Sequence, residues 1–251
     1  MQTEIPRQSF SGSVERAIKA TEASQKARIV DELLRDWNIV TVDKVPPASQ
    51  STMDSLLAEP GRPSRPKLVD PREVGRRGLG SVAGRACFLH AITHIEFNAI
   101  NLALDITWRF PDMPKSFYRD WLGVAADEAR HFTLLQDRLS QLGYSYGDFP
   151  AHDGLWSIAR KTGHDLVSRL AMVPCVLEAR GLDVTPDMIE RLRGVGDQTS
   201  AQLLQQLLEE EEHHVAVGMT WYRWLCERRN LDPEAVSYTH LTLPTTCTPW
   251  R

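Results

Sequence analysis

The feature that most constrains this sequence is a twofold pattern of glutamate and histidine. Each half holds one glutamate and then a glutamate–histidine pair three residues apart, and the full pattern is Glu96, Glu128-x-x-His131, Glu178, Glu211-x-x-His214. The single glutamate precedes the glutamate of the pair by 32 positions in the first half and by 33 positions in the second. This order and spacing predict four helices that point acidic and imidazole groups toward a shared interior.

Glu128 and His131 share one face of a predicted helix, because residues three apart lie on the same side. Apolar residues such as Trp121 and Phe132 occupy that face, and an uncompensated carboxylate is costly to bury among them. Four carboxylates in one core would repel one another, whereas two divalent ions would balance their charge. Oxygen ligands with imidazole suit iron or manganese. A structural zinc site would more often use cysteine, and no cysteine falls within the pattern. The same residue types form the ligand set of ferritin-like di-iron and di-manganese four-helix bundles.

The run of four glutamates and two histidines at 209–214 permits two inward-facing pairs. The face around Glu211 is the more uniformly apolar, with Leu204, Leu207, Leu208, Val215 and Gly218, whereas the face around Glu210 has Leu203, Gln206, Leu207, His214 and Val217. This contrast favours Glu211 and His214, and leaves Glu210, Glu212 and His213 beside the site or in solvent. The alternative to a metal site is a core of buried salt bridges, which is costly because no lysine or arginine falls at matching positions.

The periodicity predicts an all-α fold, a ferritin-like four-helix bundle with additional N-terminal helices and a Pro/Arg-rich connecting arm. Residues 1–80 hold the N-terminal helices and the arm, residues 81–234 the bundle, and residues 235–251 a non-native tail. One or two helices are expected within 11–38, capped by Ser13, and the bundle helices are expected near 81–110, 115–142, 155–180 and 197–229.

The third bundle helix carries two breaker signals around Glu178. Pro174 lies inside it and predicts a kink, which is either tolerated or aims Glu178 and opens a channel. Gly181 is expected to end the helix just after Glu178. Thr185 and Pro186 then predict the capped start of a short helix that continues to Arg193.

Composition excludes several function classes. The net charge of −4 argues against a general nucleic-acid binder, and the basic run from Arg62 to Arg85 has no interleaved aromatic residues, which favours a solvated linker. No apolar run approaches the length of about 18 residues that a membrane span needs. The four cysteines lie far apart and predict reduced thiols, and no apolar leader is visible, so a cytoplasmic location is expected.

Five motifs resemble an uncharacterised bacterial ferritin-like family over roughly residues 10–234. They are HAITHIEFNA (90–99), FYRDWLGVAADEARHF (117–132), YGDFPAHDGLW (146–156), VLEARGLDVTP (176–186) and HVAVG (214–218). The family is distantly similar to the ferritin-like di-iron tRNA hydroxylases. The resemblance implies metal ligands at Glu96, Glu128, His131, Glu178, Glu211 and His214, and it implies no settled substrate. Residues 237–251 depart from it and resemble a translated sequencing adapter, so part of the natural C-terminal segment is expected to be missing.

These patterns favour a di-iron carboxylate protein that acts as an O₂-dependent oxidoreductase, either a hydroxylase or an oxidase, on an unknown substrate. The expected cofactor is two iron ions, with manganese as the alternative, while the electron donor and the oligomeric state stay open. One alternative is an iron-handling ferroxidase or storage protein, and another is a non-catalytic bundle that a di-metal site stabilises. A role on tRNA rests locally only on the basic run.

Overall fold

The computed structural model describes residues 9–40, 42, 50–75, 78–173 and 179–234. Within these ranges the chain is helical, with no β-strand and one isolated parallel bridge between Leu68 and Ala151. The helices are α1 (Phe10–Lys19), α2 (Ala23–Arg35), α3 (Gln50–Ala58), α4 (Val82–Arg109), α5 (Lys115–Gln141), α6 (Gly154–Thr162), α7 (Leu166–Met172), α8 (Ala179–Gly194) and α9 (Gln198–Arg229). The expected all-α class is therefore confirmed for the described residues. None of these helices is both long and apolar enough to cross a membrane.

Three long helices follow the sequence expectations closely. Helices α4, α5 and α9 begin and end within one or two residues of the predicted bounds. Gly143 follows α5 with φ of 82°, a left-handed conformation that glycine adopts without strain. Asp197 caps α9 as expected, because its carboxylate accepts a hydrogen bond from the backbone N–H of Ser200 at 3.0 Å.

The predicted single helix over 155–180 is wrong. The chain forms α6 and then α7, and the break between them falls at residues 163–165. Asp165 starts α7 by accepting a hydrogen bond from the backbone N–H of Ser168 at 2.8 Å. A new N-cap therefore competes with continuation of the helix. Pro174 and Glu178 lie outside the described residues.

Three further local predictions are wrong. Helix α8 runs through Gly181 and contains Pro186, so Gly181 does not end a helix and Thr185 does not start one. Instead the Thr185 hydroxyl donates to the Gly181 carbonyl at 2.7 Å. Ser9 caps α1 in place of Ser13, which is buried inside the helix. The Pro/Arg-rich arm also contains α3, which its composition did not indicate.

The chain forms two compact units, and both α4 and α5 run through each of them. The first unit comprises Met1–Pro63 and Ala99–Arg130. Within it the buried Lys26 ammonium donates to the carbonyls of Ala17 and Ile18, both at 2.9 Å, which satisfies the end of α1.

The second unit comprises Ser64–Asn98 and His131–Arg251. Its apolar core joins residues of α4, α5, α8 and α9, among them Leu89, Leu135, Leu192 and Leu204. The buried Asp197 binds Arg85 at 3.1 Å and Arg138 at 2.8 Å, so one carboxylate links the start of α4, the end of α5 and the start of α9. These contacts fix the helices that carry the candidate site.

Candidate metal centre

Four of the six predicted ligands come together at one place. Glu96 on α4, Glu128 and His131 on α5, and Glu211 on α9 each offer one ligand atom, and these atoms all lie within 4.8 Å of one another. Glu128 and His131 are 2% and 0% exposed, and Glu96 is also buried. Because Glu128 precedes His131 by one turn of a continuous helix, the two side chains necessarily share a face.

One ring nitrogen of His131 lies between two carboxylates. His131 Nδ1 is 3.5 Å from Glu96 Oε2 and 3.3 Å from Glu211 Oε1. The other carboxylate oxygen of Glu211 lies 3.2 Å from Nδ1 of His214. Two donor atoms that each lie about 2.1 Å from one ion, at right angles, are about 3 Å apart. The three distances are compatible with neighbouring atoms in a coordination shell.

The opposite ring nitrogen of His131 makes a different contact. His131 Nε2 lies 2.7 Å from Glu210 Oε2, which is a short hydrogen-bond distance. Glu210 is held in turn by Gln206, whose amide donates to Glu210 Oε1 at 3.1 Å. The imidazole is thus fixed from both sides by carboxylates of α9.

The structure treats the two candidate pairs on α9, Glu210 with His213 and Glu211 with His214, differently. His214 is fully buried, whereas His213 is exposed. Both Glu210 and Glu211 face His131, although the sequence treated them as alternatives. Glu212 is exposed. Sequence reasoning therefore missed the contact of Glu210, and the only available signal was its position next to Glu211 in the acidic run.

The sixth predicted ligand, Glu178, lies outside the described residues. The fifth predicted ligand, His214, contacts this group of four, because its Nδ1 lies 3.2 Å from Glu211 Oε2. Apolar residues one helical turn from the predicted ligands, namely Ile92, Ile100, Val124, Phe132 and Leu135, are all buried.

The donor set fits a divalent cation. Three carboxylates this close together repel one another, and the repulsion rises where burial excludes water. A cation between them would remove that repulsion, and imidazole binds the same ion as a neutral ligand. The Glu/His cluster is therefore compatible with a di-metal site.

An aromatic and imidazole cluster contains Phe97 and Phe132, which directly follow two of the predicted ligands, Glu96 and His131. Tyr146 stacks on Phe97 and meets Phe132 edge-on, with ring centroids 6.0 and 5.1 Å apart. The Tyr146 hydroxyl lies 2.8 Å from His94 Nδ1. Asn98 donates its amide to the His94 carbonyl at 2.9 Å and lies 3.1 Å from His94 Nε2. That nitrogen therefore accepts, and in the neutral ring the proton sits on Nδ1 and points to Tyr146.

His90 completes this cluster and is also held as a neutral ring. Its Nε2 accepts a hydrogen bond from the backbone N–H of Gly147 at 2.9 Å. Burial lowers the pKa of His90 from 6.5 to about 4, and the nearby Asp148 carboxylate offsets this only in part. The loop over 144–149 is thereby anchored on α4.

Comparison with known proteins assigns the chain to a family without assigning an activity. A model of the family described as "Protein of unknown function (DUF455)" matches residues 19–245, which extends into the segment expected to be foreign. An "Uncharacterized protein" of Haemophilus influenzae is 41% identical over 234 residues, which cover 89% of this chain and 80% of that protein. No solved structure matches the chain. The chain therefore belongs to the DUF455 family.

Proposed function

We propose that the protein is a di-iron carboxylate oxidoreductase that uses O₂, within a ferritin-like four-helix bundle. The observation that carries the proposal is the convergence of Glu96, Glu128, His131 and Glu211 within 4.8 Å in a largely buried setting. Carboxylate and imidazole donors suit iron, with manganese as the alternative. Two bound ferrous ions would supply electrons for the reduction of O₂.

The protein side chains have two tasks in this proposal. The carboxylates hold the ions and balance their charge, and His131 and His214 each bind one ion as neutral imidazole. Buried apolar residues on the same helix faces, such as Val124 and Phe132, would limit the access of water to the ions. Limited access of water would favour transfer of oxidising equivalents to a substrate over their loss to solvent.

The test is metal content and an optical spectrum after anaerobic loading with Fe(II), followed by exposure to air. The proposal predicts two irons per chain and an oxo-bridged band in the near ultraviolet. Both should be lost in Glu128→Ala and retained in Glu212→Ala, because Glu212 is an exposed glutamate on α9. Thermal unfolding of each metal-free variant controls for loss of the fold.

Three outcomes would contradict the proposal. One iron or none, or two irons that do not react with O₂, would leave a bundle that metal only stabilises. Many irons per chain would instead indicate iron storage. Continued oxidation of further added Fe(II), with release of Fe(III), would indicate a ferroxidase.

A further inference from the structure

We propose that Glu210 is a positioning residue for the metal centre and that His131 binds its ion through Nδ1. In this arrangement Glu210 accepts the Nε2–H of His131 and holds the ring in one tautomer and one orientation. The inference rests on the proposed di-metal site and deepens it. It assigns a role to Glu210, one of four consecutive glutamates that the sequence alone does not clearly distinguish.

The distances around His131 distinguish the roles of its neighbours. On the Nδ1 side, two carboxylate oxygens lie at 3.3 and 3.5 Å, which leaves room for an ion between donor atoms. On the Nε2 side, one oxygen lies at 2.7 Å, which leaves no such room and matches a charge-assisted hydrogen bond. The ion therefore belongs on the Nδ1 side, and the proton belongs on Nε2.

Glu210 is itself held in place. Gln206 lies one helical turn before it on α9 and donates to Glu210 Oε1, while Glu210 Oε2 faces His131. A chain of two hydrogen bonds thus runs from the surface amide to the buried imidazole. Since a histidine that binds metal usually donates its other N–H to such an acceptor, the chain has the geometry of a ligand support.

The neighbouring glutamates provide matched controls. Glu209 and Glu212 are exposed and flank the pair Glu210 and Glu211. Glu209 accepts a hydrogen bond from Gln205 at 3.1 Å on the helix surface. Removal of Glu212 changes the net charge of α9 by the same amount as removal of Glu210. A difference between the two variants therefore reports the position of Glu210 beside His131 and not the net charge of the helix, and Glu210→Gln, which removes the same charge but keeps an acceptor, isolates the hydrogen bond.

The experiment titrates Co(II) alone into the full chain and compares wild type with Glu210→Ala, Glu210→Gln and Glu212→Ala. Loss of such an outer contact typically weakens metal binding by about 10- to 100-fold. We expect that loss in Glu210→Ala, a smaller loss in Glu210→Gln, because the Gln carbonyl still accepts, and none in Glu212→Ala. Thermal unfolding of the metal-free proteins identifies any variant that fails to fold, and Glu210→Gln keeps the shape of the side chain.

Proton NMR of the Co(II) protein supplies a readout that a merely structural residue would not change. We expect a strongly shifted, solvent-exchangeable N–H signal from His131 Nε2 in wild type and faster exchange of that proton in Glu210→Ala. Equal affinity and equal exchange in Glu210→Ala and Glu212→Ala would overturn the role of Glu210 while the metal site stands. Failure of wild type to bind Co(II) at all would overturn the proposed function, and this inference with it.

Discussion

Acid pH should destabilise this protein through His90, and the size of the effect follows from its pKa. The ring is 1% exposed, stacks on Tyr146 and accepts the Gly147 N–H at Nε2. Burial disfavours the charged ring and lowers the pKa from 6.5 to about 4, and protonation of Nε2 would also abolish that hydrogen bond. Between these two values the unfolded chain binds more protons than the folded chain, so the free energy of unfolding decreases as the pH falls. Linkage gives a loss of about 2 kcal/mol at pH 5 and about 3 kcal/mol at pH 4.

The assay is urea unfolding of the metal-free protein at pH 7.5 and pH 5. His90→Gln keeps an acceptor for Gly147 and removes the titrating ring, so the variant should lose about 2 kcal/mol less than wild type over that interval. Any packing loss in the variant is the same at both pH values and cancels in the comparison. His164→Gln, at an exposed histidine, should keep the wild-type pH dependence. Equal losses in wild type and His90→Gln would refute the reasoning.

Three further predictions concern stability, and each is measured by urea unfolding. Burial lowers the pKa of Lys26 from 10.5 to about 7, so wild-type stability should rise with pH between these values, and Lys26→Met should abolish the rise. Asp197→Ala removes a cap and two ion pairs and should cost about 3 kcal/mol, whereas Asp127→Ala, which breaks one exposed pair, should cost under about 1 kcal/mol. Gly147→Ala should destabilise more than Gly143→Ala: both glycines have positive φ, but only at Gly147 would the new Cβ meet Arg65 Cβ, at 2.8 Å. Similar losses within either matched pair would contradict these assignments.

The long helices were predictable because their signals agree over many residues. Helices α4, α5 and α9 are long segments with no internal proline, α5 has clear apolar periodicity, and residues such as Pro111, Gly143 and Asp197 mark their ends. The region over 155–194 was not predictable in this way. There Asp165 begins a new helix within a continuous apolar pattern, and Pro186 lies inside α8 although its sequence setting is that of a first turn. Single capping residues set these helix boundaries, and tertiary packing determines which of the possible caps is used.

The candidate site was predictable in residue type but not in detail. The spacing placed Glu96, Glu128, His131 and Glu211 on inward helix faces, and the structure brings these four side chains together, while metal ligation by them stays a prediction. The hydrogen-bond network of Tyr146 with α4 could not be predicted. Tyr146 lies in a connecting loop, and its position depends on how that loop packs, which periodicity does not encode.

The acidic run on α9 shows why adjacent helical residues need not be alternatives. Successive side chains point about 100° apart, so four consecutive glutamates cannot share one environment, and Glu209 and Glu212 are exposed. Glu210 and Glu211 nevertheless both reach His131, because the two ring nitrogens of an imidazole face in different directions. An imidazole that faces two adjacent glutamates can donate a hydrogen bond to one carboxylate. Its other nitrogen can bind a metal ion together with the second carboxylate. Two adjacent acids on one helix therefore need not be alternative registers, because both can face one imidazole.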